Sequence, residues 1–287
     1  MGKPRDQMVS DLLLRNYSPK TVQAYTWCMF HFVKHSRRSP DLMGEPEIRK
    51  FLLHLVEERK ASPSLRKMFV AGIKFFYRVT LNRPEEVERI PYPKIPKTLP
   101  DVLTQEEVAA IIDAVESVKY RAIIATTYAA GLRITEACGL HCRGDIDSKR
   151  MLIHIRAGKG GKDRYVMFGE RLLLLLREYW KQTRPKGLYL FPGQDPDQPI
   201  SPVSVYKVFK KALKKTDITK HVTLHTLRHC CATHLMEAHT DIRVIQALLG
   251  HGSIRTTSRY THVSAELIAR TKSPFDSLSV EKTSPEA

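Results

Sequence analysis

The stretch Leu224-His225-Thr226-Leu227-Arg228-His229 is followed by Leu249-Gly250-His251 and then by Ser258-Arg259-Tyr260-Thr261-His262. Apolar residues at helical spacing flank these segments, which predicts a mainly helical setting for them. Histidine and arginine offer protons to an anionic oxygen, and tyrosine offers a hydroxyl that can act as a nucleophile. Because the chain carries a formal net charge of +17, the first anion to consider is a nucleic-acid phosphate. We therefore predict that residues of this set meet around one phosphate.

Length and composition predict two domains and an anionic partner. The 287 residues suffice for two domains, and a hydrophobic content of 42% supplies cores and argues against wholesale disorder. The 47 Lys+Arg against 30 Asp+Glu favour DNA, RNA or an anionic membrane surface as partner. No run of about 18 uncharged apolar residues occurs, so we expect no membrane span. The five cysteines are odd in number and lack a framework spacing, which predicts reduced thiols in a cytoplasmic protein.

The first part of the chain has a helical pattern throughout, from about Asp6 to Asn82. Helix starts are predicted at Ser18-Pro19, at Glu45-Pro46 and at Ser62-Pro63, since proline suits the first turn of a helix. Apolar residues then recur at helical spacing and are expected to form a small core: Val22, Tyr25, Met29, Phe32, Val33, Ile48, Phe51, Leu52, Leu55, Leu65, Phe69, Ile73, Phe76 and Tyr77. We predict a helical N-terminal domain over residues 1–88.

Prolines between Arg89 and Leu103 mark the predicted domain boundary. Prolines at this density disfavour helix and strand and keep a linker extended, so we assign residues 89–103 to a linker. Thr104-Gln-Glu-Glu107 has the pattern of a capping box, which opens a second, mostly helical domain over residues 104–270. Within it, β-prone runs at 151–155 and 164–168 predict a strand, a glycine-rich turn and a strand. The expected fold class is mainly α with a small β-hairpin, followed by a flexible tail over residues 271–287.

Arg133 follows Gly131 closely in an otherwise apolar segment that we interpret as helical. An arginine is costly to bury there unless it is paired, and a structural salt bridge with Glu136 would be one explanation. The other is a guanidinium aimed at an oxyanion, with Glu136 orienting it. Arginine suits that role because its planar fork bonds two phosphate oxygens at once and keeps its charge.

Lys159 and Lys162 lie in the glycine-rich turn at 158–162. A turn of this composition is most often a solvated turn, and it does not match a Walker loop. A lysine on such a hairpin can also reach into a DNA groove and protonate a leaving oxygen. Position alone does not choose between the two lysines.

Four histidines, His221, His225, His229 and His234, raise the question of a metal site. One helix can offer two ligands, but zinc needs a third or fourth, usually with a carboxylate or cysteine. The sequence has neither an HExxH motif nor a clean CxxC pair. The pattern of Thr223-Leu224 also predicts a helix start, which places His221 off the helix. We expect neither a metal nor another cofactor.

Tyr260 taken alone would be interpreted as a structural residue. Its intrinsic pKa of about 10 makes it a poor nucleophile unless positive neighbours stabilise the phenolate or the transition state. Arg228, His251 and His262 are close to it in sequence, and Arg133 can be close in space.

Together these motifs resemble those of the tyrosine recombinases, the phage-integrase and Xer-type site-specific recombinases, over nearly the whole chain. The segment Gly131-Leu-Arg133-Ile-Thr-Glu136 resembles the first-arginine motif, and the turn with Lys159 resembles the β-hairpin lysine of that family. His225-Thr-Leu-Arg228 matches its His-x-x-Arg box. His251, followed nine residues later by Tyr260, matches the second histidine and the nucleophile. Each motif alone is weak, but five in this order are specific.

The resemblance implies a catalytic set with separate roles. Tyr260 would attack the scissile phosphate and form a 3′-phosphotyrosyl link, while Arg133 and Arg228 would bind the non-bridging oxygens. His225 and His251 would add hydrogen bonds, His225 with a role in proton transfer. Lys159 would protonate the leaving 5′ oxygen, with Lys162 as the alternative. Residues expected to support this set are Glu136, Lys162 and His262.

The resemblance also implies a fold, a partner and an assembly. A helical, SAM-like core-binding domain would precede the catalytic domain, and the two would hold a double-stranded DNA recombination site. Strand exchange would pass through a Holliday junction in a homotetramer, or in a heterotetramer with a paralogue, without metal or ATP, on DNA of the nucleoid.

Three other functions compete with this interpretation. A type IB topoisomerase uses similar chemistry on one duplex without synapsis. A DNA-binding architectural protein would bind DNA without cutting it. A metal-dependent phosphodiesterase would lose its activity in EDTA.

Overall fold

The computed structural model describes residues 3–96, 101–156 and 163–250, and the chain divides into two compact units, Met1–Thr98 and Leu99–Ala287. The first unit is helical within the described residues. No helix among the described residues is both long and apolar enough to cross a membrane. The helices of the first unit are α1 (Lys3–Leu14), α2 (Pro19–Ser36), a 3₁₀ turn (Pro40–Leu42), α3 (Glu45–Glu57), α4 (Pro63–Phe75), a π-helical turn that extends it (Phe76–Thr80) and α5 (Glu85–Glu88).

The three predicted helix starts of the first unit are confirmed. The Ser18 hydroxyl accepts a hydrogen bond from the Thr21 amide at 3.3 Å, and Pro19 is the first residue of α2. Ser62 caps α4 in the same way, accepting from the Leu65 amide at 3.3 Å. Helix α3 begins at Glu45. The two serine caps depend on local chemistry, since the serine oxygen satisfies a backbone donor that the first turn leaves unpaired.

The apolar stripes of the first unit form its core, as predicted. Its buried members on the stripes are Met29, Phe32, Ile48, Phe51, Leu55, Phe69, Ile73, Phe76 and Tyr77. The remaining predicted residues are partly buried and pack against them. The Tyr77 hydroxyl donates to the carbonyl of Pro40 at 2.9 Å, so its burial costs no unpaired polar group.

The second unit is mostly helical with a small sheet, which confirms the predicted fold class. Thr104 and Glu107 form the predicted capping box, with the Thr104 hydroxyl accepting from the Glu107 amide at 3.2 Å and the Glu107 carboxylate accepting from the Thr104 amide at 2.8 Å. Its described elements are α6 (Gln105–Asp113), α7 (Val118–Ala129), α8 (Ile134–Cys138), β1 (Ile146–Asp147), β2 (Leu152–Ile155), β3 (Arg164–Met167), α9 (Glu170–Thr183), α10 (Pro202–Leu213), α11 (Leu224–Glu237) and α12 (Ile242–Leu249).

The sheet contains the predicted pair of strands and one more. β2 and β3 run antiparallel, with Ile153 opposite Val166. β1 pairs with the other edge of β2, and the sequence did not predict it. Two residues are too short for a recognisable alternation, and β1 is held by contacts around the buried Asp145, whose carbonyl accepts from the His154 amide at 2.7 Å.

The predicted linker is anchored at both of its ends. Residues 89–96 and 101–103, its described parts, contain neither helix nor strand. Ile90 is buried in the core of the first unit, and Leu103 is buried in the core of the second. The Leu103 amide donates to the Cys230 sulfur at 3.2 Å. The domain bounds 1–88, 89–103 and 104–270 and the tail 271–287 stay predictions.

Candidate active site

Arg133 lies in the turn between α7 and α8, directly before α8, and not inside a helix as the sequence suggested. Gly131 has a φ of 58°, in the left-handed region that favours glycine. A Cβ atom at Gly131 would lie 3.0 Å from Leu249 Cδ2 and 3.3 Å from Cys231 Sγ, so this turn packs directly against α11 and α12. The Arg133 side chain is 25% exposed and is therefore not sealed in the core.

Arg228 lies on α11 and is the most deeply buried of the candidate residues described, with 1% exposure. Its Nη1 donates to the carbonyl of Gly131 at 2.8 Å, and its Nη2 donates to the carbonyl of Leu249. Both carbonyls lie at or just after a helix end, where backbone oxygens lack an intrahelical donor and carry partial negative charge. The buried guanidinium is thus matched to polar partners.

Three arginines lie around the carboxylate of Glu136. Arg133 donates from its backbone amide to Oε2 at 2.8 Å and from Nη1 to Oε1 at 2.7 Å, which confirms the predicted ion pair. Arg164 donates from Nη1 to Oε1 at 3.1 Å and from Nη2 to Oε2 at 2.7 Å. Arg228 Nη1 lies 3.7 Å from Oε2. The structure therefore gives Glu136 two more arginine partners than the sequence suggested.

The arginines around Glu136 keep its carboxyl group ionised. Burial by itself would raise the pKa of the carboxyl group, but the hydrogen bonds from Arg164 and from the Arg133 amide, with the charges behind them, lower the pKa to about 2. Glu136 is therefore an anion at any physiological pH and offsets the repulsion among the arginines.

Arg164 is the residue of this cluster that the sequence analysis missed. It begins β3, its side chain is only 9% exposed, and its Nε donates to the carbonyl of Leu248 at 2.8 Å. One signal could have identified it. Side chains two residues apart in a strand share a face, and Val166 is fully buried, so Arg164 had to point inward and needed an acidic partner.

His225 lies one turn before Arg228 on α11 and is exposed. Its ring centroid is 4.5 Å from that of His229 in an edge-to-face arrangement. Partial desolvation of the ring lowers the pKa of His225 below its ordinary value, and the positive charges of Arg228 and Arg133 lower it further. The ring is thus neutral near pH 7, beside two arginines and open to solvent.

His234 and His221, two further histidines considered as metal ligands, lie in different surroundings. His234 places one ring nitrogen 2.8 Å from the Tyr128 hydroxyl and the other 2.9 Å from the carbonyl of Leu103, so both nitrogens have partners in the core. His221 precedes Thr223, the residue that caps α11. Within residues 3–96, 101–156 and 163–250, no group of three or more His, Cys, Asp or Glu residues is arranged to hold a metal ion.

Five predicted site residues lie outside the described residues: Lys159, Lys162, His251, Tyr260 and His262. Their roles stay predictions. Helix α12 ends at Leu249, and Gly250, with a φ of 61°, directly precedes His251 in the sequence.

Family models match most of the chain. The model described as the phage integrase family matches residues 101–266, and the model described as the phage integrase N-terminal SAM-like domain matches residues 5–86. Both the cluster around Glu136 and α11 lie within the first of these matches.

Individual proteins are similar over nearly the whole length. A putative integrase/recombinase of Sinorhizobium fredii, y4qK, is 42% identical over 277 residues, which cover 96% of this chain and 89% of that protein. The tyrosine recombinase XerA of Pyrococcus horikoshii is 33% identical over 277 residues, covering 92% of this chain and 93% of that protein. A solved structure of a lambda integrase (75–356) dimer bound to a COC' core site matches with a TM-score of 0.74 and 20% identity, over 91% of this chain and 94% of that chain, which is a likeness of fold.

Proposed function

This chain belongs to the phage integrase family and is a tyrosine recombinase, an enzyme of site-specific DNA recombination, and we propose that Arg133, His225 and Arg228 bind the phosphate at which it cuts DNA. The observation that carries this assignment is the meeting of Arg133 and Arg228 at Glu136, with His225 exposed beside them. These residues come from separate parts of the sequence, so their meeting is a property of the fold.

The charges of the cluster favour an anionic ligand. Among the described ion pairs, three guanidinium groups share one carboxylate, so positive charge exceeds negative charge. A phosphodiester bound at Arg133 and Arg228 supplies negative charge at this place. Its non-bridging oxygens gain charge in the transition state, and fixed guanidinium groups then stabilise the transition state more than the ground state.

The proposed reaction is a transesterification. The Tyr260 oxygen forms a bond to phosphorus while the bond from phosphorus to the 5′ oxygen of the next nucleotide breaks. The phenol gives up its proton, with neutral His225 assisting, and Lys159 (or Lys162) delivers a proton to the 5′ oxygen. His251 adds a hydrogen bond to the phosphate. One phosphoester bond forms for each that breaks, so this scheme needs no ATP, and the arginines supply the charge that a metal would otherwise bring.

We propose duplex DNA as the substrate and a multimer as the working form. The lambda integrase structure of the same fold contains a dimer on a DNA core site, which supports both assignments. The net charge of +17 suits a DNA partner as well. We propose further that residues 1–88 bind the core site, and that four subunits, identical or with a paralogue, exchange strands through a Holliday junction.

Covalent capture of DNA tests the nucleophile. Duplexes with a randomised inverted repeat and a nick near the centre are incubated with the protein, and complexes that survive denaturation are recovered and sequenced. Wild-type protein should yield such complexes, Tyr260→Phe should not, and Tyr206→Phe should behave as wild type, because Tyr206 is an exposed residue of α10. Survival of the complex in Tyr260→Phe would disprove the proposed nucleophile.

The DNA selected in this experiment also distinguishes the three alternative functions. A topoisomerase would relax a supercoiled plasmid and form no junction between two duplexes that carry the selected site. An architectural protein would bind the selected DNA and form no covalent complex in any variant. A metal-dependent phosphodiesterase would stop in EDTA, whereas we expect the yield of covalent complex to be unchanged.

A further inference from the structure

We infer that Arg164 is a positioning residue for the phosphate site, acting through Glu136 and through the end of α12; this inference rests on the function proposed above. Arg164 begins β3, the strand that follows the segment with Lys159 and Lys162. Its sequence neighbourhood alone does not connect Arg164 with Arg133 or Arg228, but its contacts in the structure do.

The Arg164 side chain holds Glu136 at two points, whereas the Arg133 side chain holds it at one and the Arg133 backbone amide at another. Both terminal nitrogens of Arg164 donate to the carboxylate, one to each oxygen, at 3.1 and 2.7 Å. Such a two-point contact fixes the plane of the carboxylate as well as its distance. Arg133 Nη1 donates at 2.7 Å to this carboxylate, whose orientation Arg164 helps to fix. Among the described residues the Arg133 side chain makes no other hydrogen bond, which leaves donors of Arg133 for a phosphate.

The second contact of Arg164 fixes the end of α12. Its Nε donates to the carbonyl of Leu248 at 2.8 Å, and Arg228 donates to the carbonyl of Leu249, the next residue. Two arginines from different elements thus bond consecutive carbonyls at the C-terminus of one helix, where the backbone is most negative. A Cβ at Gly250 would lie 3.0 Å from Arg164 Cδ, so Arg164 also packs against the residue that precedes His251.

These contacts engage Arg164 inside the protein. All three side-chain nitrogens of Arg164, Nε, Nη1 and Nη2, donate to protein oxygens. A lysine has one nitrogen in place of three, so it cannot reproduce the two-point contact with the carboxylate together with the bond to the Leu248 carbonyl. Arg164 therefore acts on DNA through Glu136 and α12, as a positioning residue.

The experiment is a double-mutant cycle on single-turnover cleavage of the selected DNA. Arg164→Met should slow cleavage at saturating DNA by about tenfold to a hundredfold, the cost of a small misplacement of catalytic groups, with little change in DNA affinity. Arg164→Lys should restore only part of that rate. In a Glu136→Gln background, Arg164→Met should cost clearly less than in wild type, because both changes remove the same contact.

A matched control removes another arginine of the same sheet region. Arg156 bonds the buried Asp145 at 2.6 Å and does not bond Glu136, so Arg156→Met should lower stability without slowing cleavage of bound DNA. Equal slowing in Arg156→Met, or losses of Arg164→Met and Glu136→Gln that simply add, would overturn the inference.

A measurement without DNA separates this inference from the proposed function. Arg164, together with the amide and side chain of Arg133, lowers the pKa of Glu136 to about 2, so Arg164→Met should raise that pKa and move the acid-induced loss of stability toward neutral pH. If wild-type protein forms no covalent complex but this shift occurs, the proposed function fails and the contact stands. If the complex forms and Arg164→Met cleaves at the wild-type rate, the inference alone fails.

Discussion

Arg228 donates a hydrogen bond from Nη1 to the backbone carbonyl of Gly131 at 2.8 Å, which joins α11 to the turn that carries Arg133. Gly131 precedes Arg133 by two residues, so this bond fixes the relative position of the two arginines that we assign to one phosphate. The geometry of the site therefore depends on a backbone conformation as well as on the shared carboxylate.

Gly131→Ala should damage both stability and cleavage. Alanine in the left-handed region costs about 1–2 kcal/mol, and its Cβ would also lie 3.0 Å from Leu249 Cδ2. Denaturant unfolding should therefore show a lower free energy of unfolding, and covalent capture a lower yield. Gly169→Ala is the control, because Gly169 has a φ of −85° and a Cβ there would have no neighbour within 4 Å. Equal effects of the two changes would contradict this account of the turn.

Arg228→Lys should also lower stability, although the charge is kept. Lysine has a single nitrogen in place of the separate Nη1 and Nη2 that serve the carbonyls of Gly131 and Leu249, so it cannot reproduce both bonds, and a buried acceptor left without a donor costs about 1–3 kcal/mol. Cleavage of bound DNA should fall further than DNA affinity does. The exposed Arg177 of α9 offers a matched control, since Arg177→Lys should change the free energy of unfolding by no more than about 0.5 kcal/mol. A wild-type free energy of unfolding in Arg228→Lys would refute the prediction.

Local chemistry made much of the fold predictable. Ser18, Ser62 and Thr104 each cap a helix where the sequence indicated, because a cap needs only its own first turn. The position of Arg133 was predicted wrongly, since the left-handed turn at Gly131 is stabilised by packing against α11 and α12. Non-local partners such as these are not encoded in a short window of sequence.

The residue types of the candidate site were predictable from the sequence, but its hydrogen bonds and ion pairs were less so. Spacing and motif identified Arg133, His225 and Arg228, and the pairing of Arg133 with Glu136 is present. The sequence did not indicate the role of Arg164 because its partner Glu136 lies 28 residues away, with β1 and β2 between them. Strand alternation with the buried Val166 is the one local sign that it points inward.

The low pKa of Glu136 predicts a stability change in acid. A carboxyl group whose pKa is lowered on folding contributes stability above its unfolded pKa, and that contribution is lost as the pH falls through the folded value. Its pKa falls from 4.5 to about 2, so roughly 3 kcal/mol should be lost between those limits. Unfolding of the second unit can be followed by the fluorescence of Trp180 in Trp27→Phe protein, which has no other tryptophan. Glu136→Gln should fall less steeply below pH 4.5; equal slopes would contradict the assignment.

The lowered pKa of His225 predicts how cleavage responds to pH. Partial desolvation and the charges of Arg228 and Arg133 hold the ring neutral below the ordinary value of 6.5. Because we assign proton transfer to the neutral ring, the rate at limiting DNA, which reports groups of the free enzyme, should stay level down to that pH and decline only below it. His225→Gln should cleave more slowly and lack this decline, whereas His221→Gln, a change of an exposed histidine before α11, should keep the wild-type profile. A wild-type decline that begins well above pH 6.5, or one that persists unchanged in His225→Gln, would show that another group titrates.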